Sequence, residues 1–261
     1  MYRLIVDSLS NQRLYTLIHD FLNRELVYIT FTVLATSAAV IWLQLWINLA
    51  RKGTIDSKFS RKIIHTGSAP LFIALFPLFS EGASSKYFAA AVPFSQLVRL
   101  VISAKSSDEQ GTPGLVGAVS RTGEKKEALQ GPFYYNIILF LVSLFAFRSS
   151  VPGVFVISQM AAGDGMADII GRRFGSVKWP FMKEKSIAGT IGFIVSAFLV
   201  SMALLGLYNY TGCISLNIID DWPTILLISV ICAFVELVPG IDDNISVSAA
   251  AYLVSSYFFP T

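Results

Sequence analysis

The 261-residue sequence has few of the residues and short motifs that soluble enzymes use for catalysis and cofactor binding. It contains two histidines and two cysteines, and 14% of its residues are charged, well below the roughly 25% typical of soluble proteins. Cys213 and Cys232 lie in or beside apolar stretches and have no metal-binding spacing, which predicts inert thiols. The sequence has no GxxxxGKS/T phosphate loop, nucleotide-type GxGxxG turn, CxxC pair or HExxH helix. These absences exclude the familiar soluble nucleotide-binding and zinc enzymes.

The first 25 residues also lack an apolar run. They mix basic and acidic side chains, including Arg3, Asp7, Arg13 and Asp20, which argues against a secretory signal peptide. Their acidic residues fit a transit peptide poorly. We therefore expect residues 1–25 to form a polar or amphipathic segment ahead of one membrane domain, 26–261. If the protein works in an organelle, either its targeting segment is missing here or its gene belongs to that compartment.

Apolar residues dominate the rest of the chain. The mean hydropathy is +0.62, and 54% of the residues are hydrophobic. A membrane-crossing helix needs about 20 mostly apolar residues. The candidates are Leu26–Ala50, Ile63–Phe79, Tyr87–Ser103, Phe133–Phe147, Val151–Ala162, Ile187–Tyr208, Pro223–Val238 and Ile245–Phe259. Because backbone groups in lipid must be satisfied internally, the sequence predicts an all-α, multi-pass transmembrane helical bundle with seven or eight spans.

Basic residues concentrate in alternate loops. The stretches 51–62, 104–131 and 163–186 together hold 14 of the 20 lysines and arginines. The positive-inside rule places such loops on one side of the membrane. The same alternation puts the loop 239–244 on that side. We therefore expect all the candidate chemistry to face one compartment.

The segment GDGMADIIGRRFG, residues 163–175, carries the clearest chemical signal. On a helix, Asp164 and Asp168 are one turn apart and share a face, with Arg172 a turn further along. Two such carboxylates can hold Mg²⁺, which completes its shell with waters and substrate phosphates. The neighbouring glycines would let a bulky anion approach the backbone. The positive charge for a polyphosphate would come from Arg172, Arg173, Lys183 and Lys185.

A second acidic group surrounds the start of the last apolar stretch. Glu236 follows a long apolar run, and Asp242, Asp243 and Asn244 precede the next one. These carboxylates are candidates for a second metal site or for accepting a hydroxyl proton. Asp or Asn at this position is also typical of a helix cap, so both interpretations stay open here.

Two further segments carry polar residues beside membrane spans. Arg61 and Lys62 begin one span and fit either phosphate binding or interfacial anchoring. His65 lies just inside that span, where a titratable group needs a partner. Arg121 belongs to a polar loop, SRTGEKKE, that has no further signal of its own.

Five segments, in this order, resemble the phytol kinase group of the polyprenol kinase family. They are SRKIIHTGS, SRTGEKKEALQGPFYY, GDGMADIIGRRFG, KSIAGT and ELVPGIDDNISV. The resemblance runs from Ser60 to the C-terminus. Dolichol kinases and CTP-dependent diacylglycerol kinases are more distant members.

The resemblance implies phosphoryl transfer from CTP, or another nucleoside triphosphate, to the primary hydroxyl of an isoprenoid alcohol. It also implies a divalent metal, a multi-pass plastid or cyanobacterial membrane location, and a role in phytol salvage for tocopherol or phylloquinone synthesis. Phosphoryl transfer depends mainly on positioning and charge neutralisation. We assign Asp164 and Asp168 to Mg²⁺, the basic residues to phosphate, and Asp242 or Asp243 to the metal or the proton. Apolar helices would hold the alcohol's tail, and no nucleic acid is expected as a partner.

Two other functions remain to be compared. A phosphatidate cytidylyltransferase also uses CTP in a membrane and has a similar Gly-Arg-x-Phe-Gly turn. That family ends, however, in a basic signature, whereas this chain has Asp-Asp-Asn. A transporter usually has its ion site within its spans, whereas the charges here gather on one face.

Overall fold

The computed structural model describes residues 2–79, 82–105 and 129–260, with side chains from Asn23 onward. Nine α-helices are found in these ranges. They are α1 (Tyr2–Arg51), α2 (Ser57–Ile73), α3 (Ser85–Lys105), α4 (Gly131–Phe145), α5 (Val151–Ile157), α6 (Asp164–Phe174), α7 (Ile187–Tyr210), α8 (Ile218–Val235) and α9 (Asp243–Phe258). A 3₁₀ turn, Phe76–Leu78, follows α2, and a π-helical segment, Ser158–Gly163, joins α5 to α6.

The helices confirm a multi-pass helical membrane protein. Four are long and apolar enough to span a bilayer: the part of α1 from Asn23 to Arg51, and helices α3, α7 and α8. Helix α4 is apolar but shorter. Each of the eight apolar stretches predicted from the sequence overlaps one of the helices α1–α5 or α7–α9. Leucine, valine and phenylalanine side chains are exposed along the four long helices, as a lipid-facing surface requires.

The segment 151–163 forms the centre of the bundle. Residues 152–163 are all buried, a pattern expected for a helix surrounded by other helices rather than by lipid. Helices α2, α7 and α9 pack against this segment. Its π-helical part adds an extra residue to the turn immediately before Asp164, and such π-bulges are frequent at functional sites.

Two features add to the simple helical prediction. Helix α1 continues without interruption from Tyr2 to Arg51, so the boundary between the predicted segments 1–25 and 26–261 lies within one helix. A short antiparallel hairpin, β1 (Lys178–Trp179) and β2 (Met182–Ser186), connects α6 to α7. The hairpin matters for the site, since it carries Lys185.

Side-chain caps explain where several helices begin. Asp56 accepts hydrogen bonds from the backbone N–H groups of Lys58 and Phe59 at the start of α2. Ser186 accepts one from Gly189 at the start of α7. These caps satisfy backbone donors that a helix N-terminus leaves unpaired. Both helices therefore start beside the charged face that the loop charges predicted.

Candidate active site

Three carboxylates from distant parts of the sequence meet on one side of the bundle. Asp164 begins α6, Glu236 directly follows α8, and Asp243 begins α9. One oxygen from each lies within 4.8 Å of the other two. Carboxylate oxygens are the ligands that Mg²⁺ prefers in proteins. This group, the carboxylate cluster, therefore has the donors that a divalent metal needs.

Two lysines balance the negative charge of the cluster, and a histidine contacts it. Lys62 Nζ lies 3.3 Å from Asp164 Oδ2, and His65 Nε2 lies 3.1 Å from the same oxygen. Lys185 pairs with Glu236 and, at 2.8 Å, with Asp243. Asp164 is therefore the partner that a titratable side chain such as His65 needs just inside a membrane span.

These ion pairs favour the charged forms of Asp164 and Lys185. Burial disfavours the charged form of Asp164, but Lys62 and His65 outweigh burial and hold its pKa well below its usual range. Burial also favours a neutral Lys185, but Glu236 and Asp243 outweigh it and raise the pKa of that amine. Asp164 is therefore a carboxylate and Lys185 an ammonium at neutral pH.

Asp168 lies on the face of α6 predicted from its spacing. Lys62 Nζ is 3.8 Å from Asp168 Oδ2, so one lysine contacts both aspartates of the motif. Arg172 donates from Nε to Asp168 Oδ1 at 2.8 Å. The third member of the carboxylate cluster is nevertheless Glu236, because Asp168 is one turn further along α6 and is already paired with Arg172.

Asp242 and Asp243 have different partners. Asp242 caps α9, accepting from the Asn244 backbone N–H at 3.0 Å and from Asn244 Nδ2 at 2.7 Å. Asp243 turns towards Lys185 and the carboxylate cluster. The helix cap therefore belongs to Asp242, whereas Asp243 lies where the catalytic interpretation would require it.

The glycines of the acidic motif serve packing between helices. A Cβ on Gly165 would overlap the Thr66 side chain of α2, and a Cβ on Gly163 would lie 2.7 Å from the Phe193 ring of α7. The prediction that these two glycines let an anion approach the backbone is therefore wrong. They let α2 and α7 pack closely against the chain on either side of Asp164.

The predicted phosphate-binding residues fall into two groups. Lys62 and Lys185 belong to the ion pairs described above, and Arg61 lines a cavity beside them. Arg172, Arg173 and Lys183 are exposed on α6 and the hairpin, where a soluble molecule can reach them. Arg121 lies outside the described residues.

Tyr135 of α4 is a site residue that the sequence interpretation missed. Its hydroxyl donates to the His65 carbonyl at 2.8 Å and accepts from the Ala69 N–H at 2.9 Å, so it bridges a gap in the hydrogen bonding of α2. Its ring packs on His65 with 4.6 Å between centroids. Its place at the end of the segment SRTGEKKEALQGPFYY was a signal in the sequence, but a tyrosine at the start of an apolar helix is equally typical of an interfacial anchor.

A cavity of about 320 Å³ adjoins the cluster. Arg61, Lys62, His65, Asp164, Asp242 and Asp243 line its charged end. The remainder is enclosed mainly by apolar side chains of α1 to α4. A cavity with a charged end and mainly apolar walls elsewhere fits an amphipathic ligand with a polar head.

Phytol and farnesol kinases from plants are similar to this sequence over most of its length. A probable chloroplastic phytol kinase 1 from Glycine max is 40% identical over 216 residues, covering 81% of this chain and 70% of the relative. The chloroplastic phytol kinase 1 of Arabidopsis thaliana is 36% identical, covering 81% of this chain and 70% of its own length. This chain belongs to the phytol kinase family. A chloroplastic farnesol kinase of Arabidopsis thaliana, 36% identical over 83% of this chain and 71% of its own length, is also related.

Membership of the phytol kinase family confirms the resemblance seen in the motifs and makes the protein a kinase. No protein-family model matches the sequence. No solved structure matches it either.

Proposed function

We propose that this protein transfers the terminal phosphoryl group of CTP, or of another nucleoside triphosphate, to the primary hydroxyl of phytol. Geranylgeraniol and farnesol are the related acceptors. The observation that carries the proposal is the meeting of Asp164, Glu236 and Asp243 with two lysines at the charged end of a membrane cavity. The names of the relatives support a prenol as the acceptor.

The residues of the cluster have the chemistry that phosphoryl transfer needs. In the reaction, the alcohol oxygen forms a bond to the terminal phosphorus. The bond from that phosphorus to the departing nucleoside diphosphate breaks, and the hydroxyl proton is lost. Lys62 and Lys185 would neutralise charge on the phosphates. Arg172, Arg173 and Lys183 would guide the nucleotide from solvent. Asp243 would either accept the proton or act as a metal ligand.

A divalent metal fits this donor set. Asp164, Glu236 and Asp243 would hold Mg²⁺, with Asp168 one turn away, and Lys185 would shift towards the phosphates when the metal binds. The metal would neutralise charge on the transferred phosphoryl group. Within the chain, Lys62 and His65 keep Asp164 ionised and oriented towards the cluster.

We infer a plastid membrane, or the equivalent cyanobacterial membrane, as the location, since the relatives above are named chloroplastic. The product would be a prenyl monophosphate. Such a product would return phytol to tocopherol and phylloquinone synthesis.

Membranes containing the full chain, incubated with phytol and, in parallel reactions, with CTP labelled at its γ-phosphate or in its cytidine, test the proposal. We expect a labelled prenyl monophosphate that requires Mg²⁺, and competition by unlabelled nucleotides will rank the donors. Asp164→Asn should lower turnover by about 10²-fold or more, the effect of removing one strong electrostatic contact to a transition state. Asp220→Asn, an exposed change in the first turn of α8, is the matched control and should leave turnover unchanged.

The product also distinguishes this function from its rivals. A labelled CDP-lipid would indicate a cytidylyltransferase instead. Absence of any labelled lipid, with correctly inserted protein and every donor tested, would overturn the proposal. Full activity of Asp164→Asn at saturating Mg²⁺ would overturn the assignment of the site.

A further inference from the structure

The cavity beside the carboxylate cluster has a deep end remote from the charged face. On α2, Phe72 follows Lys62 by ten residues, which at the helical rise is about 15 Å. On α4, Leu139 is eight residues beyond Gly131, or about 12 Å, and Gly131 lies next to Asn244 at the charged end. Phe72 and Leu139 both line the cavity.

Two other helices provide cavity residues at the same depth. Helices α1 and α3 both have their basic C-terminal ends, Arg51 and Lys105, on the charged side. Ala39 and Val92 are 12 and 13 residues before those ends, which is about 18–20 Å. These two side chains line the cavity as well. Four helices thus provide apolar side chains at one level, far from the cluster.

These side chains close the cavity rather than face the lipid. Phe72 is 7% exposed and Leu139 is 6% exposed, whereas Leu141, two residues further along α4, is 43% exposed. The Phe72 ring is supported by Phe76, at 5.3 Å between centroids in an edge-to-face arrangement. A rigid aromatic side chain therefore stands at the deep end.

We propose that this cavity binds the isoprenoid tail of the acceptor alcohol, and that Phe72 and Leu139 limit the length of tail it accepts. The inference rests on the proposed function. The tail lies between α1, α2, α3 and α4, and the hydroxyl lies at the charged end beside Asp164 and Asp243. Tail selectivity is therefore determined by the packing of four helices and is separate from phosphoryl transfer.

Phytol and farnesol provide the test, because farnesol is shorter by one isoprene unit. Leu139→Phe adds a ring at the deep end. The ratio of kcat/KM for phytol to that for farnesol should fall by at least about tenfold, since a hydrophobic pocket discriminates single methylenes by such factors. Leu141→Phe makes the same substitution on the lipid-facing side of α4 and should leave the ratio at its wild-type value.

Phe72→Ala is the opposite change and should move the ratio towards the longer alcohol. Each variant is purified in detergent and compared with the wild type for monodispersity and thermal unfolding. An unchanged ratio in a folded Leu139→Phe variant would overturn the tail assignment while leaving the kinase function standing. A wild-type protein that phosphorylates no prenol would overturn both.

Discussion

At the scale of single residues, Asp242 and Asp243 show how two identical neighbours acquire different roles. Asp242 adopts the extended backbone of a helix cap, so its carboxylate turns back to Asn244. Asp243 has already entered α9, and its side chain points to Lys185. Because successive helical residues lie about 100° apart around the axis, both carboxylates cannot face the same partner.

Asparagine substitutions separate the two roles. Asp243→Asn should reduce prenol phosphorylation by orders of magnitude with little change in thermal stability, because it removes a charge while conserving shape. Asp242→Asn should retain most of the activity, since asparagine caps a helix about as well as aspartate. Asp242→Ala should cost on the order of 1 kcal/mol of unfolding free energy.

Turnover and thermal unfolding of the three variants, measured on the same preparations, check these expectations. Full activity of Asp243→Asn would remove Asp243 from the reaction and make the segment purely structural. Strong inactivation by Asp242→Asn would mean that its charge, rather than its cap, is required.

At the scale of helices, the position of Asp164 depends on close packing between α2 and α6. Gly165 faces Thr66, with no room for a Cβ between them. On α2, Lys62 lies one turn before Thr66, and His65 is adjacent to Thr66. The contact between Gly165 and Thr66 therefore holds both side chains against Asp164. An increase in the distance between the helices would therefore weaken the ion pairs of the site.

Gly165→Ala should destabilise the protein and lower activity together. Overpacking of a tight contact typically costs about 1–3 kcal/mol. Gly206→Ala on α7 is a matched control, because the nearest atom to its new Cβ, Ile218 Cδ1, is 3.9 Å away. A second change, Thr66→Gly, should restore part of the activity of Gly165→Ala. Wild-type stability and turnover in Gly165→Ala would show that the two helices can separate without consequence.

At the scale of the whole molecule, the charged ends of the helices gather on one side of the membrane. Lys62, Asp164, Lys185, Glu236 and Asp243 come from five segments and meet there. The basic loops that contain Lys62 and Lys185 are two of the three that the positive-inside rule grouped together. Under the proposed function, a soluble nucleotide would reach the site from a single compartment.

Single-cysteine labelling tests this topology. In a chain with Cys213 and Cys232 replaced, cysteines at the exposed positions Ser57 and Ser176 should react with an impermeant reagent from the same side. A cysteine at Ser149, in the turn between α4 and α5, should react from the other side. Labelling of positions 57 and 176 from opposite sides would contradict the prediction that both loops face the same compartment.

Much of this architecture can be predicted from the sequence because it depends on local pattern. Apolar runs locate the spans, since a bilayer admits only segments that satisfy their own backbone. The spacing of Asp164, Asp168 and Arg172 correctly predicted a shared helix face, because helical periodicity is a local property. Lysine and arginine counts predicted which loops share a side. Family membership was visible in five short segments.

Only the tertiary structure decided which of these residues meet. Glu236 is 72 positions after Asp164 in the sequence, and the two meet because of the way α6, α8 and α9 pack around the buried segment 151–163. The same packing gives Gly165 its role beside Thr66. It also encloses a cavity that ends at Phe72 and Leu139. Periodicity identifies the faces of each helix, whereas the neighbour of each face follows from the fit of all the helices at once.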